Sequence, residues 1–163
     1  MQHSLDMKVT LTTIVLLGLA ILTGCSSTKI YTSSQSKNVF ITTTKNSGST
    51  FSSIEILLDV YDINRACEIK YLGSIALTDN NTKVGLPVNK NSLLSFRFEG
   101  SSFLGGSSSS ASLDTLLKPR KGYQYDIHAR YVNGIYNVDI HEFYNKRSKK
   151  RQVDTRELHE CKS

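Results

Sequence analysis

Asn133-Gly134 constrains the fold of this chain more than any other feature. The pair lies between residues 123–132 and 135–144, two stretches in which apolar and polar residues alternate. A two-residue type I′ turn needs positive φ at both central positions, and Asn followed by Gly meets that need at low steric cost. The turn then dictates the pairing: Val132 with Ile135, Tyr131 with Tyr136, Ala129 with Val138, Ile127 with Ile140. Strand side chains alternate with a period of two, so Tyr125, Ile127, Ala129, Tyr131, Tyr136, Val138 and Ile140 share one face, expected to be core. The opposite face carries Asp126 across from His141, His128 across from Asp139, and Arg130 across from Asn137.

The rest of the chain has the same character. Val, Ile, Thr, Tyr and Phe are frequent, and Ala is scarce beyond the first segment, which favours strands. Residues 38–44 predict a first strand. Ile54, Ile56, Leu58 and Val60 mark a second, and Cys67, Ile69, Tyr71, Ile75 and Leu77 occupy odd positions of a third. Residues 84–88 form a short strand whose Pro87 suits an edge. Leu94, Phe96 and Phe98 alternate with Ser95, Arg97 and Glu99 in another. Turn signals fall at residues 46–49, 79–82 and 118–122. Residues 100–112 are Gly/Ser-rich and predict a mobile loop. Within it, Phe103 and Leu104 are apolar; they either tip a partner-contact loop or fold back on the core.

About seven or eight short strands, with no comparably strong amphipathic helix, predict one all-β domain, an antiparallel sandwich or barrel. Pro119, Gly122 and Tyr123, leading into the hairpin, form a segment that resembles the corresponding part of small prealbumin-like or immunoglobulin-like β-sandwiches. That resemblance implies a sandwich.

The N-terminus is of a different kind. Residues 9–22 are apolar and uncharged, and Lys8 precedes them. The run is short for a membrane span, which needs about 20 apolar residues, and it fits a secretory signal peptide. Asp6 is out of keeping with a basic start, so Met7 competes with Met1 as the first residue. The run ends in Leu22-Thr23-Gly24-Cys25, which resembles the lipobox of bacterial lipoproteins. The resemblance implies a diacylglycerol on the Cys25 sulfur, cleavage before that residue, and acylation of the new amino group. Several acyl chains suffice for stable attachment, where a single one does not. Ser26 after the cysteine implies, for a Gram-negative host, an outer-membrane location facing the periplasm; for another host the anchor lies in the cell membrane. The expected partition is 1–24 signal peptide, 25–37 lipidated cysteine and flexible tether, and 38–163 β-sandwich domain.

Of three cysteines, lipidation of Cys25 leaves Cys67 and Cys161, and an exported chain meets an oxidising compartment. A Cys67–Cys161 disulfide is the expectation, with residues 152–160 as a last strand or short helix returning Cys161 to Cys67. The alternative is two separate thiols.

Candidate chemistry is sparse. Asp126, His128, Asp139 and His141 offer metal-ligand or acid–base types on one sheet face. They serve equally as charges matched across strands on a solvated face, the reading a flat sheet favours. No serine sits in a Gly-x-Ser-x-Gly elbow. Gly105-Gly106 lacks the ending of a phosphate loop. No metal or other cofactor is expected.

Lys146, Arg147, Lys149, Lys150 and Arg151 place five cations in six residues, within a chain of net charge +6. They predict either a solvated loop or contact with an anionic surface. Export argues against nucleic acid. The expected partners are a membrane, through the lipid, and another envelope protein or cell-wall polymer. Three functions compete. The first is a non-enzymatic envelope lipoprotein that binds or scaffolds an envelope component. The second is an inhibitor or immunity-type lipoprotein that blocks a hydrolase through the 100–112 loop. The third is a metal-dependent enzyme using the hairpin histidines.

Overall fold

Alternating apolar residues generate nine strands in the computed structural model, which describes residues 28–46, 52–78, 81–102, 108–144 and 149–158. In chain order they are β1 (Val39–Asn46), β2 (Ser52–Ile63), β3 (Ile69–Ala76), β4 (Thr82–Val84), β5 (Ser92–Ser102), β6 (Ser108–Leu117), β7 (Gln124–Val132), β8 (Ile135–Phe143) and β9 (Arg151–Val153). They form a five-stranded sheet, β4-β1-β7-β8-β9, and a four-stranded sheet, β3-β2-β5-β6. No helix among the described residues is long and apolar enough to cross a membrane. The apolar run 9–22 and Cys25 lie outside the described residues.

The two sheets enclose one main core. Val39 and Ile41 enter it from β1, Ile56, Leu58 and Val60 from β2, and Leu94, Phe96 and Phe98 from β5. Tyr125, Ile127 and Ala129 enter from β7 and Val138 and Ile140 from β8, and Leu77, Val84, Leu86 and Leu117 complete it. Each fully buried Leu, Ile, Val or Phe contributes about 1.5–3 kcal/mol relative to exposure. Leu93 and Leu116 point the other way. With Ile63 and Tyr61 they make a second apolar cluster on the outer face of the four-stranded sheet.

The β7–β8 hairpin has the register that Asn133-Gly134 predicts, with Val132 opposite Ile135 and His128 opposite Asp139. Asn133 and Gly134 have φ of 49° and 85°. The expected core face holds at Tyr125, Ile127, Ala129, Val138 and Ile140, while at the hairpin tip Tyr131 is half-buried and Tyr136 remains 43% exposed.

The fold is the expected all-β sandwich of mostly antiparallel strands; β1 and β7 run parallel in register, Val39 beside Tyr125 and Ile41 beside Ile127. Three local expectations are corrected. Residues 100–112, expected as a loop, are mostly the ends of β5 and β6, because a pleated ladder tolerates small hydroxyl side chains when both neighbours supply backbone partners. The third strand does not keep one alternation. Val60 pairs with Gly73 and Tyr61 with Tyr71, so Leu72 is an extra residue that inverts the pattern between Tyr71 and Ser74. Cys67 sits before this strand in a turn with φ of 62°. Residues 84–88 pair only as far as Val84. Beyond it the buried Asn38 amide takes over, donating to Leu86 O at 2.9 Å and accepting from Leu86 N at 2.8 Å.

Residues 28–37, expected to belong to a flexible tether, lie against the sandwich. Ile30 bridges Ser74 in parallel at the edge of β3. Ser74 N donates to Lys29 O at 2.8 Å, and Tyr31 N donates to Ser74 O at 2.9 Å. The Tyr31 ring packs on the main core, and its hydroxyl donates to Gly85 O at 2.8 Å. An unpaired edge offers backbone groups that a polar Ser/Thr-rich segment can satisfy as well as a hydrophobic one.

Candidate functional site: the charged faces and the lysine edge

The hairpin places Asp126, His128, Asp139 and His141 on one outer face, as its register requires. The contacts, however, run to cations. Asp126 pairs with Lys150, and its Oδ2 lies 3.7 Å from His128 Nε2. Asp139 pairs with Arg130. The Asn137 amide also donates to Asp139 Oδ1 at 3.3 Å. Among the described residues no three His, Cys, Asp or Glu side chains converge as a metal would require. The geometry is that of cross-strand charge matching, because side chains standing on a flat sheet diverge from one another.

The basic run divides. Lys146 and Arg147 lie outside the described residues; Lys149, Lys150 and Arg151 are described. Lys150 serves Asp126, and Arg151 serves Glu142. Glu142 is directly opposite Tyr125 and therefore faces inward, only 5% exposed. Its Oε1 accepts from Arg120 at 2.6 Å and from Arg151 Nε at 2.8 Å. Arg120 also covers the Tyr123 ring at 3.7 Å from its centroid. The Glu142 hydrogen bond is the main reason its guanidinium holds its proton even more tightly than usual. Two cations of the run, Lys150 and Arg151, thus pair with carboxylates of the hairpin while their own side chains stay 55% and 74% exposed.

One network escaped sequence reasoning. Asp59 lies on the outer face of β2, yet its side chain is only 8% exposed. It accepts from Ser74 Oγ and, at 2.6 Å, from Arg97 Nε. Tyr71 OH and Ser74 Oγ are 2.6 Å apart. Arg97 reaches onward to Glu99 Oε1 at 2.6 Å. The bond to Asp59 raises the Arg97 pKa, and burial, then the Asp59 charge, raises that of Tyr61. The signal in the sequence was weak: Asp59 is the outward residue between core-facing Leu58 and Val60, and its partners come from two other strands.

Cys67 is disulfide-bonded. Cys25 and Cys161 lie outside the described residues, as do Phe103 and Leu104.

The edge formed by β3, β4 and residues 28–38 has a different electrostatic character. Ile30, Tyr31, Lys37, Ser74, Lys83 and Val84 help line an open groove of about 310 Å³. Segments 28–38 and 81–88, which wall it, contain Lys29, Lys37 and Lys83 and no acidic residue. All three lysines are exposed. Among the described residues none of them forms an ion pair. Ile30, beside Lys29, is 75% exposed.

Two glycines make this edge possible. A Cβ on Gly73 would lie 2.6 Å from Tyr31 N, and one on Gly85 would lie 2.5 Å from Gln35 O. Comparison with protein-family profiles, with curated proteins and with solved structures returns no match to this chain.

Proposed function

We propose that this chain is a lipid-anchored protein of the bacterial cell envelope, non-enzymatic, whose β-sandwich binds or scaffolds another envelope component. The observation that carries the reading is Leu22-Thr23-Gly24-Cys25 at the end of an uncharged apolar run, close before a folded domain. Cys25 takes the lipid, and Ser26 directs an exported chain of a Gram-negative host to the outer membrane, facing the periplasm. Cys67 pairs with Cys161 in that oxidising compartment. The partner is an envelope protein or a cell-wall polymer, and nucleic acid is not among its ligands.

The engagement of the hairpin carboxylates with Lys150 and Arg130 supports a structural use of that face over a catalytic one. Gly100–Ser102 and Ser108–Ser112 belong to strands, so the inhibitor reading rests on residues 103–107, which lie outside the described residues. Fractionation of cells expressing Cys25→Ala tests the anchor. The variant is expected to leave the membrane fraction for the soluble one, and a variant that stays wholly with membranes overturns the reading.

A further inference from the structure

We propose that the β3–β4 edge is a membrane-docking surface, with Lys29, Lys37 and Lys83 against anionic phospholipid headgroups and Ile30 directed into the interface. The proposal rests on lipidation of Cys25, and it adds an orientation that lipidation alone does not supply.

Three observations converge on this edge. The first is the length of the leash. Lys29 is already hydrogen-bonded to Ser74, so only the chain between Cys25 and Lys29 separates lipid from sandwich. Four residue steps span at most roughly 14 Å when fully extended. A domain held so closely cannot turn freely, and the edge that receives residues 29–31 is brought nearest the bilayer.

The second is charge. Five cations are spent on carboxylates: Arg97 on Asp59, Arg120 and Arg151 on Glu142, Arg130 on Asp139, Lys150 on Asp126. Lys45, Arg65, Lys70, Lys90, Lys118, Lys121 and Lys149 are exposed and form no ion pair among the described residues, so what marks the β3–β4 edge is the gathering of three lysines on segments without acid. Lys29, Lys37 and Lys83 have no such partner among the described residues, and the segments that carry them hold no acid. Basic side chains near an anionic bilayer surface each add attraction within a Debye length, which favours binding roughly fivefold per lysine.

The third is Ile30. It is 75% exposed, the most exposed large apolar side chain of the described residues, and it adjoins Lys29 on the edge that faces the leash. Apolar groups flanked by lysine suit the boundary between headgroups and acyl chains. An anchor combined with basic residues binds far better than either alone.

The chain contains no tryptophan, so one substitution creates a unique reporter. The acylated full chain carrying Ile30→Trp is reconstituted into phosphatidylcholine vesicles with brominated acyl chains, with and without phosphatidylglycerol. Ser110→Trp, on β6 at the opposite edge of the four-stranded sheet, is the control. Ile30→Trp is expected to shift to the blue and to be quenched several-fold more in the anionic vesicles. High salt, or replacing Lys29, Lys37 and Lys83 together with Gln, should reduce that quenching to the neutral-vesicle level. Ser110→Trp should remain unquenched throughout. Equal quenching at the two positions, or in the two lipid mixtures, while the chain stays vesicle-bound, overturns the docking surface and leaves the anchor intact. Release of the chain from the vesicles overturns the anchor, and the docking with it.

Discussion

Asp59 and Glu99 share one arginine, and their surroundings give them unequal value. Asp59 is nearly enclosed and is an acceptor for both Ser74 and Arg97, whereas the Glu99 side chain is 42% exposed. Removing the enclosed acceptor leaves a hydroxyl and a guanidinium without their partner in a poorly solvated place. Asp59→Ala is therefore expected to cost about 1–3 kcal/mol. Glu99→Ala should cost less than about 0.5 kcal/mol, because an exposed ion pair exchanges readily with water. Urea unfolding of the two variants checks this, and equal losses would refute the distinction. Asp59 also shows where sequence reasoning stops at this scale. An outward aspartate on an amphipathic strand reads as solvated until Ser74 and Arg97 are known to be its neighbours.

At the scale of elements, two glycines separate backbone strain from steric contact. Gly134 has φ of 85°, and a Cβ there would meet nothing within 4 Å. Gly134→Ala should cost only the left-handed conformation of an L-residue, about 1–2 kcal/mol. Gly73 combines a φ of 150° with a Cβ that would strike the Tyr31 backbone. Gly73→Ala should cost more and should lift residues 29–31 from β3. Hydrogen exchange reads that detachment directly, as lost protection of the Ser74 and Tyr31 amides with the β7–β8 amides unchanged. If Gly134→Ala proved the more damaging, residues 29–31 would not be a fixed part of the fold. The hairpin register was legible beforehand because it follows from two adjacent turn residues, though the exposure of Tyr136 at its tip was not. The β3 bulge was not, since an extra residue is defined only against the strand beside it. Nor were the two ends of the 100–112 segment, 100–102 and 108–112, whose serines have weak strand preference and gain their ladder from β2 and β5.

For the whole molecule, covalent closure follows the same logic of distant partners. The proposed Cys67–Cys161 bond would close a loop of about 95 residues and stabilise the fold by about 4.7 kcal/mol in the chain-entropy model. Cys67→Ser and Cys161→Ser should therefore lose similar amounts in thermal unfolding, and peptide mapping without reductant should recover the linked pair. A Cys161→Ser protein as stable as the parent would exclude that pairing. The charge of +6 was plain in the sequence, but its distribution was not. The densest run, 146–151, supplies partners to Asp126 and Glu142, whereas Lys29, Lys37 and Lys83, scattered in the sequence, meet at one edge whose segments 28–38 and 81–88 hold no acid. What the sequence determined by itself was local: the type I′ turn, the hairpin register, the face that Tyr125, Ile127 and Ala129 share, and the all-β class. These follow from φ preferences and a side-chain period of two, which act between neighbours along the chain. Only the tertiary structure decided that β1 runs parallel to β7, that residues 29–31 seal the β3 edge, and which cations meet a carboxylate. Each of those outcomes joins segments tens of residues apart, where competition among packing, backbone pairing and charge has no local signature.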